Sequence, residues 1–333
     1  MVSVGCNVCG GSEHVRLLDK NGYTVVRCSG CGLVFVNPQP DEEELARLYS
    51  FESNYHVGHL DEKKENRLGK RSRKKLAFLK RNGISEGLLL DVGCSTGFFL
   101  KEAGKAGFTP RGVELNPDTS RLAETKYGLD VENCRIEDLD PAKGPFDVIT
   151  FLDSLEHMLD PRGALESANG LLADGGYALV TLPNVAGLFP TLTYALFTRP
   201  FGVWSHPAPP GHLYDFSPAT MTHLLERTGY KVVDVLFEGQ TLAYTVSKFS
   251  ESMVTLMRGN PPAKRPPATP KAAVKGDVAA KPPAGAFPGN KKALRWVVKC
   301  VSYAFVSSIY LAASLLNRGD SMMILAKKTG VPG

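Results

Sequence analysis

The run Leu88-Leu-Leu-Asp-Val-Gly-Cys-Ser-Thr-Gly-Phe-Phe-Leu constrains this chain more than any other. An apolar strand leads into Asp91, Gly93 and Gly97, and a helical pattern follows at once, so the backbone must turn sharply at the end of a buried strand. Glycines there tolerate a positive φ and let a ligand approach the main chain at the carboxyl edge of a parallel sheet, where open α/β folds bind nucleosides. Further apolar runs near 110–114, 129–133, 146–152, 177–182 and 231–237 alternate with helical stretches, as a parallel sheet with crossover helices requires. Asp160-Pro161 puts a capping carboxylate and a first-turn proline ahead of the fourth crossover helix, and Gly175-Gly176 reads as that helix's end. Ser321–Lys328 reads as a last strand.

The first thirty-one residues carry a different constraint. Cys6, Cys9, Cys28 and Cys31 follow the spacing C-x2-C-x18-C-x2-C. Each C-x-x-C turns two thiolates toward one tetrahedral ion, which is the zinc-ribbon pattern. Gly10, Gly11 and Gly32 suit the positive φ of such knuckles, and Tyr23 to Arg27 reads as the strand entering the second one. Four thiolates close the coordination shell, so a zinc there is structural, not catalytic. Two disulfides are the competing reading. The chain opens without a basic segment followed by an apolar run, so a cytosolic, reducing setting is expected and the disulfides are disfavoured.

Composition is that of a globular protein: 333 residues, 43% hydrophobic and 22% charged, which excludes wholesale disorder. The net charge of +5 matters less than where it sits. Residues 60–82 carry +7 and residues 260–292 carry +6, leaving −8 for the rest. An acidic main body argues against a broad nucleic-acid face. Residues 41–49 form a helix with an acidic first turn, and 60–82 an amphipathic helix with Leu68, Leu76, Phe78 and Leu79 on one stripe and a solvated cationic face. With eight prolines and no periodicity, 260–292 is a disordered basic linker. Residues 294–316 form an apolar helix.

Glu114 ends the second core strand, seventeen residues past Gly97, where an acid can accept both ribose hydroxyls of a nucleoside. A dinucleotide-binding enzyme competes for these features, but its fingerprint is Gly-x-Gly-x-x-Gly, and an acid just before the glycines repels a pyrophosphate while suiting a cationic amino-acid end. Asp91–Gly97, Val113-Glu114-Leu115-Asn116-Pro117, Phe146-Asp147-Val148-Ile149 and Ser154-Leu-Glu-His-Met-Leu-Asp-Pro161 together resemble the motifs of class I S-adenosylmethionine-dependent methyltransferases. The resemblance covers 87–238 and the last strand. It implies a seven-stranded Rossmann-like α/β sheet whose last strand is antiparallel and inserted between strands five and six.

The donor, S-adenosyl-L-methionine, would then contact Asp91, Gly93, Cys94, Gly97, Glu114, Leu115 and Leu152, with an adenine pocket near Ile136 and Glu137, although Arg135 stands where many members have Asp. The implied domains are a zinc ribbon (1–40), a helical connector (41–86), the methyltransferase core (87–240), a helical insertion (241–319) and the last strand with its tail (320–333). With its ribbon the chain is also similar to zinc-ribbon methyltransferases, including deoxysugar C-methyltransferases with a catalytic Tyr-His-Glu-His run. Here Pro210-Gly-His-Leu-Tyr-Asp keeps His212 and has Gly211 at the position of the catalytic Glu.

Methyl transfer to a hydroxyl needs a base, and an imidazole is suited to that at neutral pH. His157, five residues past the fourth strand, and His212 are the candidates. Glu156 is read as shaping the loop, Tyr55 and His56 as a lid over the donor, and the aromatic-rich segment 185–214 as a substrate lid. The expected reaction is O-methylation of a small-molecule, sugar, glycan or lipid-linked acceptor. An RNA methyltransferase using the ribbon to grip RNA and a sugar C-methyltransferase are the alternatives. Leu152-Asp-Ser-Leu is not the Asn/Asp-Pro-Pro-Tyr/Phe run of base-amino methyltransferases, and the basic helix lacks interleaved aromatics for base stacking. The helix 294–316 either lies on an anionic membrane surface or packs on protein.

Overall fold

The computed structural model describes residues 1–48, 62–198, 201–202, 204, 206–239, 242–257 and 291–330. The lid candidates Tyr55 and His56 and nearly all of the 260–292 linker lie outside the described residues.

A seven-stranded sheet organises the chain. In chain order its strands are β4 (Gly87–Val92), β5 (Phe108–Val113), β6 (Asp130–Glu132), β7 (Phe146–Leu152), β8 (Leu172–Pro183), β10 (Tyr230–Glu238) and β11 (Ser321–Lys328). They lie side by side as β10-β11-β8-β7-β4-β5-β6. The last strand runs antiparallel between β8 and β10, with Lys327 opposite both Tyr177 and Lys231, as the class I pattern implies. Helix α3 (Phe98–Lys105) follows β4 and α4 (Pro117–Tyr127) follows β5, while α5 (Pro161–Leu171) and α7 (Pro218–Arg227) precede β8 and β10. Side chains define the starts of these helices. Asn116 accepts from the amides of Asp118 and Thr119, Asp160 caps α5 ahead of Pro161, and Ser217 forms a capping box with Thr220. Each cap contributes about 1 kcal/mol.

One expectation about the sheet is corrected. Gly175-Gly176 does not end α5. The helix ends at Leu171 and β8 begins at Leu172, with both glycines inside the strand. They form a bulge at which the pairing with β7 jumps from Phe146–Leu172 to Val148–Tyr177, and Gly175 takes the left-handed φ of +79° that the kink demands.

Two buried layers sandwich the sheet. One packs Leu165 and Ala168 of α5 and Leu224 of α7 against Leu90, Ile149 and Val180. The other packs α3 and α2 (Glu62–Arg81) against the opposite face, with Leu76 and Leu79 meeting Leu89, Leu100 and Val148. The apolar stripe of α2 was legible, but its cationic face is not simply solvated. Lys74 pairs with Glu238 at 3.0 Å, Arg81 with Asp234 at 2.5 Å, and Lys75, only 16% exposed, reaches Asp153 at 3.4 Å. The acidic body and the basic helix are complementary charges of one unit.

The cysteine-bearing segment is a small sheet: β1 (His14–Lys20), β2 (Tyr23–Cys28) and β3 (Val34–Val36), followed by α1 (Glu42–Leu48). Its fourth strand is β9 (Tyr214–Asp215), lent from the far side of the sequence, with Phe35 opposite Tyr214. Phe35 and Val26 are buried in the same cluster as Leu90 and Phe151, so ribbon and methyltransferase sheet share a core.

The segment expected as a substrate lid is divided between two anchors. Trp204 is 2% exposed, packed on Val25 and Val34 of the ribbon, and its indole N–H donates to the Pro190 carbonyl. Phe189, in α6 (Leu188–Thr193), packs on α8 (Leu242–Met257) and α9 (Lys291–Leu315) through Val246, Phe249 and Val306. The apolar helix α9 thus buries one face on protein. Among the described residues no helix is long and apolar enough to cross a membrane.

Candidate functional site

The loops after β4, β5 and β7 meet at the carboxyl edge of the sheet. Gly93 and Gly97 both take φ above +70°, and Ser95 between them is left-handed at +50°. Space is as restrictive as conformation. A Cβ on Gly93 would stand 3.0 Å from the Ser154 Cβ, and one on Gly97 would stand 2.9 Å from the Ala123 Cβ. The turn therefore has no room for side chains on the faces where it meets the β7 loop and α4.

Glu114 knits this turn to the next loop: its carboxylate accepts the Ser95 amide at 2.8 Å and the Asn116 amide at 2.9 Å. Each carboxylate oxygen keeps a further lone pair for a hydroxyl. Asn133 Nδ2 donates to the carbonyls of Glu114 and Leu115, holding the end of β5, while the Leu115 side chain stands 62% exposed beside it. Asp91 is buried, and its Oδ1 accepts the Thr150 hydroxyl at 2.6 Å. Desolvation pushes its carboxyl up to about 7, against the opposing pull of the Thr150 hydroxyl and the Lys75 charge.

The other candidates differ in what they can offer a ligand. Cys94 is buried against Gly112, and burial raises its thiol far above the ordinary range, which makes it packing and not chemistry. Ile136 is 3% exposed in the core beside Leu90 and Val113, so only its main chain can border an adenine, while Glu137 next to it is exposed. Leu152 ends β7 half-buried.

After β7 a 3-10 turn, Leu155–His157, carries the candidate base. His157 Nδ1 donates to the Gly211 carbonyl at 2.6 Å, which fixes Nε2 as the basic nitrogen of the neutral ring. Its ring meets that of His212 edge-on, with centroids 4.8 Å apart. Both candidate histidines thus converge, although 55 residues separate them in sequence.

Sequence reading missed what surrounds them. Glu156 does more than shape its loop. Its main-chain carbonyl accepts the Leu213 amide, and its carboxyl is 1% exposed, with Oε1 3.9 Å from His157 Nε2. Burial above all, and then the Asp153 charge, drives that carboxyl well above the usual range. Burial also pushes His212 down to about 3, with the neighbouring His157 adding to it. A second buried pair, His206 and Asp215, lies 3.6 Å apart behind them. Desolvation sends His206 down to about 3 and Asp215 up to about 7, so the imidazole is neutral at pH 7 while the carboxyl is poised between its two forms. A Glu-His dipeptide just past a parallel strand was the available signal for Glu156. Nothing local marked Lys75 or His206.

At the ribbon, the four thiols converge: Cys6 and Cys31 sulfurs are 3.4 Å apart and those of Cys9 and Cys28 3.5 Å. Burial raises the Cys6 thiol. At Cys28 burial pushes the same way, but the amides of Cys31 and Gly30 together with the neighbouring Cys9 and Cys6 thiols outweigh it and draw the thiol down to about 7. Four free thiols with this geometry fit a tetrahedral ion.

The sheet order with its inserted antiparallel strand, and the glycine turn facing an acid on the neighbouring strand, define the class I S-adenosylmethionine-dependent methyltransferase fold. Residues 63–235, just over half of the chain, match the family described as methyltransferase domain, and the chain belongs to that family. The match begins in α2, so the basic helix falls within it. Among curated proteins, a ubiquinone biosynthesis O-methyltransferase from a Caulobacter species is 34% identical over 106 residues, 30% of this chain and 42% of that one. The protein of the same name from Pseudomonas paraeruginosa is 27% identical over 153 residues, 38% of this chain and 66% of that one. The chain spans about half the length of the curated relatives it matches. A solved S-adenosylmethionine-dependent methyltransferase from Archaeoglobus fulgidus is 17% identical, covering 79% of this chain and 94% of that one, with a TM-score of 0.46.

Proposed function

We propose that the protein transfers a methyl group from S-adenosylmethionine to a hydroxyl of a small or lipid-linked acceptor. The observation that carries this reading is the convergence of His157, His212 and Glu156 directly beyond the Gly93–Ser154 contact. The donor would lie along the Gly93–Gly97 turn, with its ribose on Glu114, its ammonium group toward Asp91 and its adenine near Leu115 and Ile136. The acceptor would enter over the β7 loop, where His157, with its Nδ1–H held by Gly211, presents a basic nitrogen for the hydroxyl proton. Positioning of acceptor oxygen and methyl carbon supplies much of the remaining rate.

Relatives named for ubiquinone biosynthesis O-methylation support oxygen as the acceptor atom. Gly211 in the place of the C-methyltransferase Glu supports it too, although Glu156 brings a carboxyl to the same histidines from another loop. Zinc in the four-thiolate site would hold the ribbon and take no part in transfer. The test is turnover of labelled donor against hydroxylated lipid, glycan and RNA fractions. Label in the first two and a loss of roughly 100-fold in His157→Ala are expected. Label in RNA alone would replace this reading with the nucleic-acid one.

A further inference from the structure

We propose that Glu156, His157 and His212 form a binding site for a divalent transition-metal ion, distinct from the four-thiolate site. One donor atom from each of the three residues lies within 4.8 Å of the others. An ion with bonds of about 2.1 Å holds its donors about 3.0–3.4 Å apart, so the three donors would draw together as the ion binds.

Three independent features point to a ligand here. Glu156 is 1% exposed, and its Oε2 has no hydrogen-bond partner among the described residues. A buried carboxyl oxygen left so costs about 1–3 kcal/mol unless something occupies it. The His157 ring is oriented by donation from Nδ1 to a backbone carbonyl, the arrangement that turns Nε2 outward in metal-ligating histidines. His212 meets the His157 ring edge-on from another loop, which brings the donor atoms of two imidazoles close together. Two nitrogens and one oxygen suit zinc, iron(II), cobalt(II) or manganese(II) better than magnesium or calcium.

Three protein donors leave at least one position open on a four-coordinate ion. The role of the ion, but not the existence of the site, rests on the methyltransferase reading above. An acceptor hydroxyl bound at the open position would lose its proton to water and attack the donor methyl as alkoxide, the sulfonium leaving as the neutral thioether. In the ion-loaded protein the imidazoles hold the ion instead of taking the proton. His157→Ala lowers turnover on either account, so binding and not turnover is the test.

Zinc-loaded protein, purified without chelator, is titrated with cobalt(II) and followed by equilibrium dialysis and visible absorption. Wild type should take up one further ion per chain, with weak d–d bands and no thiolate charge-transfer band. His212→Ala and Glu156→Gln should each weaken that uptake tenfold or more while circular dichroism and donor binding report a folded protein. Absence of cobalt uptake outside the thiolate site, or uptake unchanged in both folded variants, overturns the proposal. Uptake by wild type that both variants lose, in a protein that methylates no acceptor, would support the site and sink the functional reading alone.

Discussion

The Thr150 hydroxyl donates to the Asp91 carboxyl at 2.6 Å, across two adjacent parallel strands at the centre of the sheet. Burial holds that carboxyl up at about 7, with the hydroxyl restraining it. A cationic ammonium group on the donor prefers the carboxylate, so binding should release a proton wherever Asp91 is protonated beforehand. Donor affinity should therefore be full above pH 7 and fall by up to about tenfold per unit below it. Thr150→Val removes the restraint and should move the inflection upward. Calorimetry across pH 6 to 8, in buffers of different ionisation enthalpy, counts the proton. Constant affinity with no proton release would place the ammonium group elsewhere.

Glu114 holds two loops as well as offering acceptors, since it receives the amides of both Ser95 and Asn116. Replacing it with Ala leaves those amides without their acceptor and removes the ribose contact together. The affinity loss should reach about 1–3 kcal/mol or more, with a measurable drop in melting temperature. A folded Glu114→Ala variant that binds donor with unchanged affinity by calorimetry would mean the ribose lies off this strand.

The parts of the site legible in sequence were those written in short spans. Asp91, Gly93, Gly97 and Glu114 announce themselves because a turn, a positive φ and a strand end are local facts, and the alternating runs located every strand of the main sheet. Gly175-Gly176 misled because a glycine pair marks a helix end and a bulge alike, and only the pairing of β8 with Phe146 and Val148 decides between them. The Glu156–His157–His212 cluster and the loan of Tyr214–Asp215 to the ribbon sheet depend on contacts between distant segments. No periodicity encodes those. Lys75 looked like one cation among ten, and its difference lies in pointing across the sheet edge toward Asp153.

The four thiols predict one tightly held zinc. Because Phe35 and Val26 lie in the same core as the methyltransferase sheet, the loss of that ion should reach beyond the ribbon. Removing it with a strong chelator, or changing Cys28 to Ser, should lower the melting temperature of the whole protein and weaken donor binding. Metal analysis should find the ion in protein purified without chelator. Its absence there, in protein that melts cooperatively, would return the four cysteines to plain thiols.

Helix α9 has two apolar faces, and among the described residues only one is covered. Val306 and Ile309 are buried against Phe249 and Phe189, whereas Val301, Leu311 and Leu315 lie on the opposite side at 64%, 67% and 80% exposure. Their spacing of ten and four residues keeps them on one stripe, and the basic run 260–292 precedes them in sequence. An apolar stripe following seven cations suits the surface of an anionic membrane, with the helix lying flat, because β11 must return to the sheet at Ser321. Such a position would bring a lipid-linked acceptor to the enzyme. Wild-type protein should float with anionic vesicles and remain behind with neutral ones, and a Leu311→Lys, Leu315→Lys double variant should lose flotation while keeping its melting temperature, since neither side chain is in the core. If wild type stays at the bottom of the gradient but sediments as a dimer that the double variant abolishes, the stripe is a contact between two copies of the chain, and the membrane reading fails.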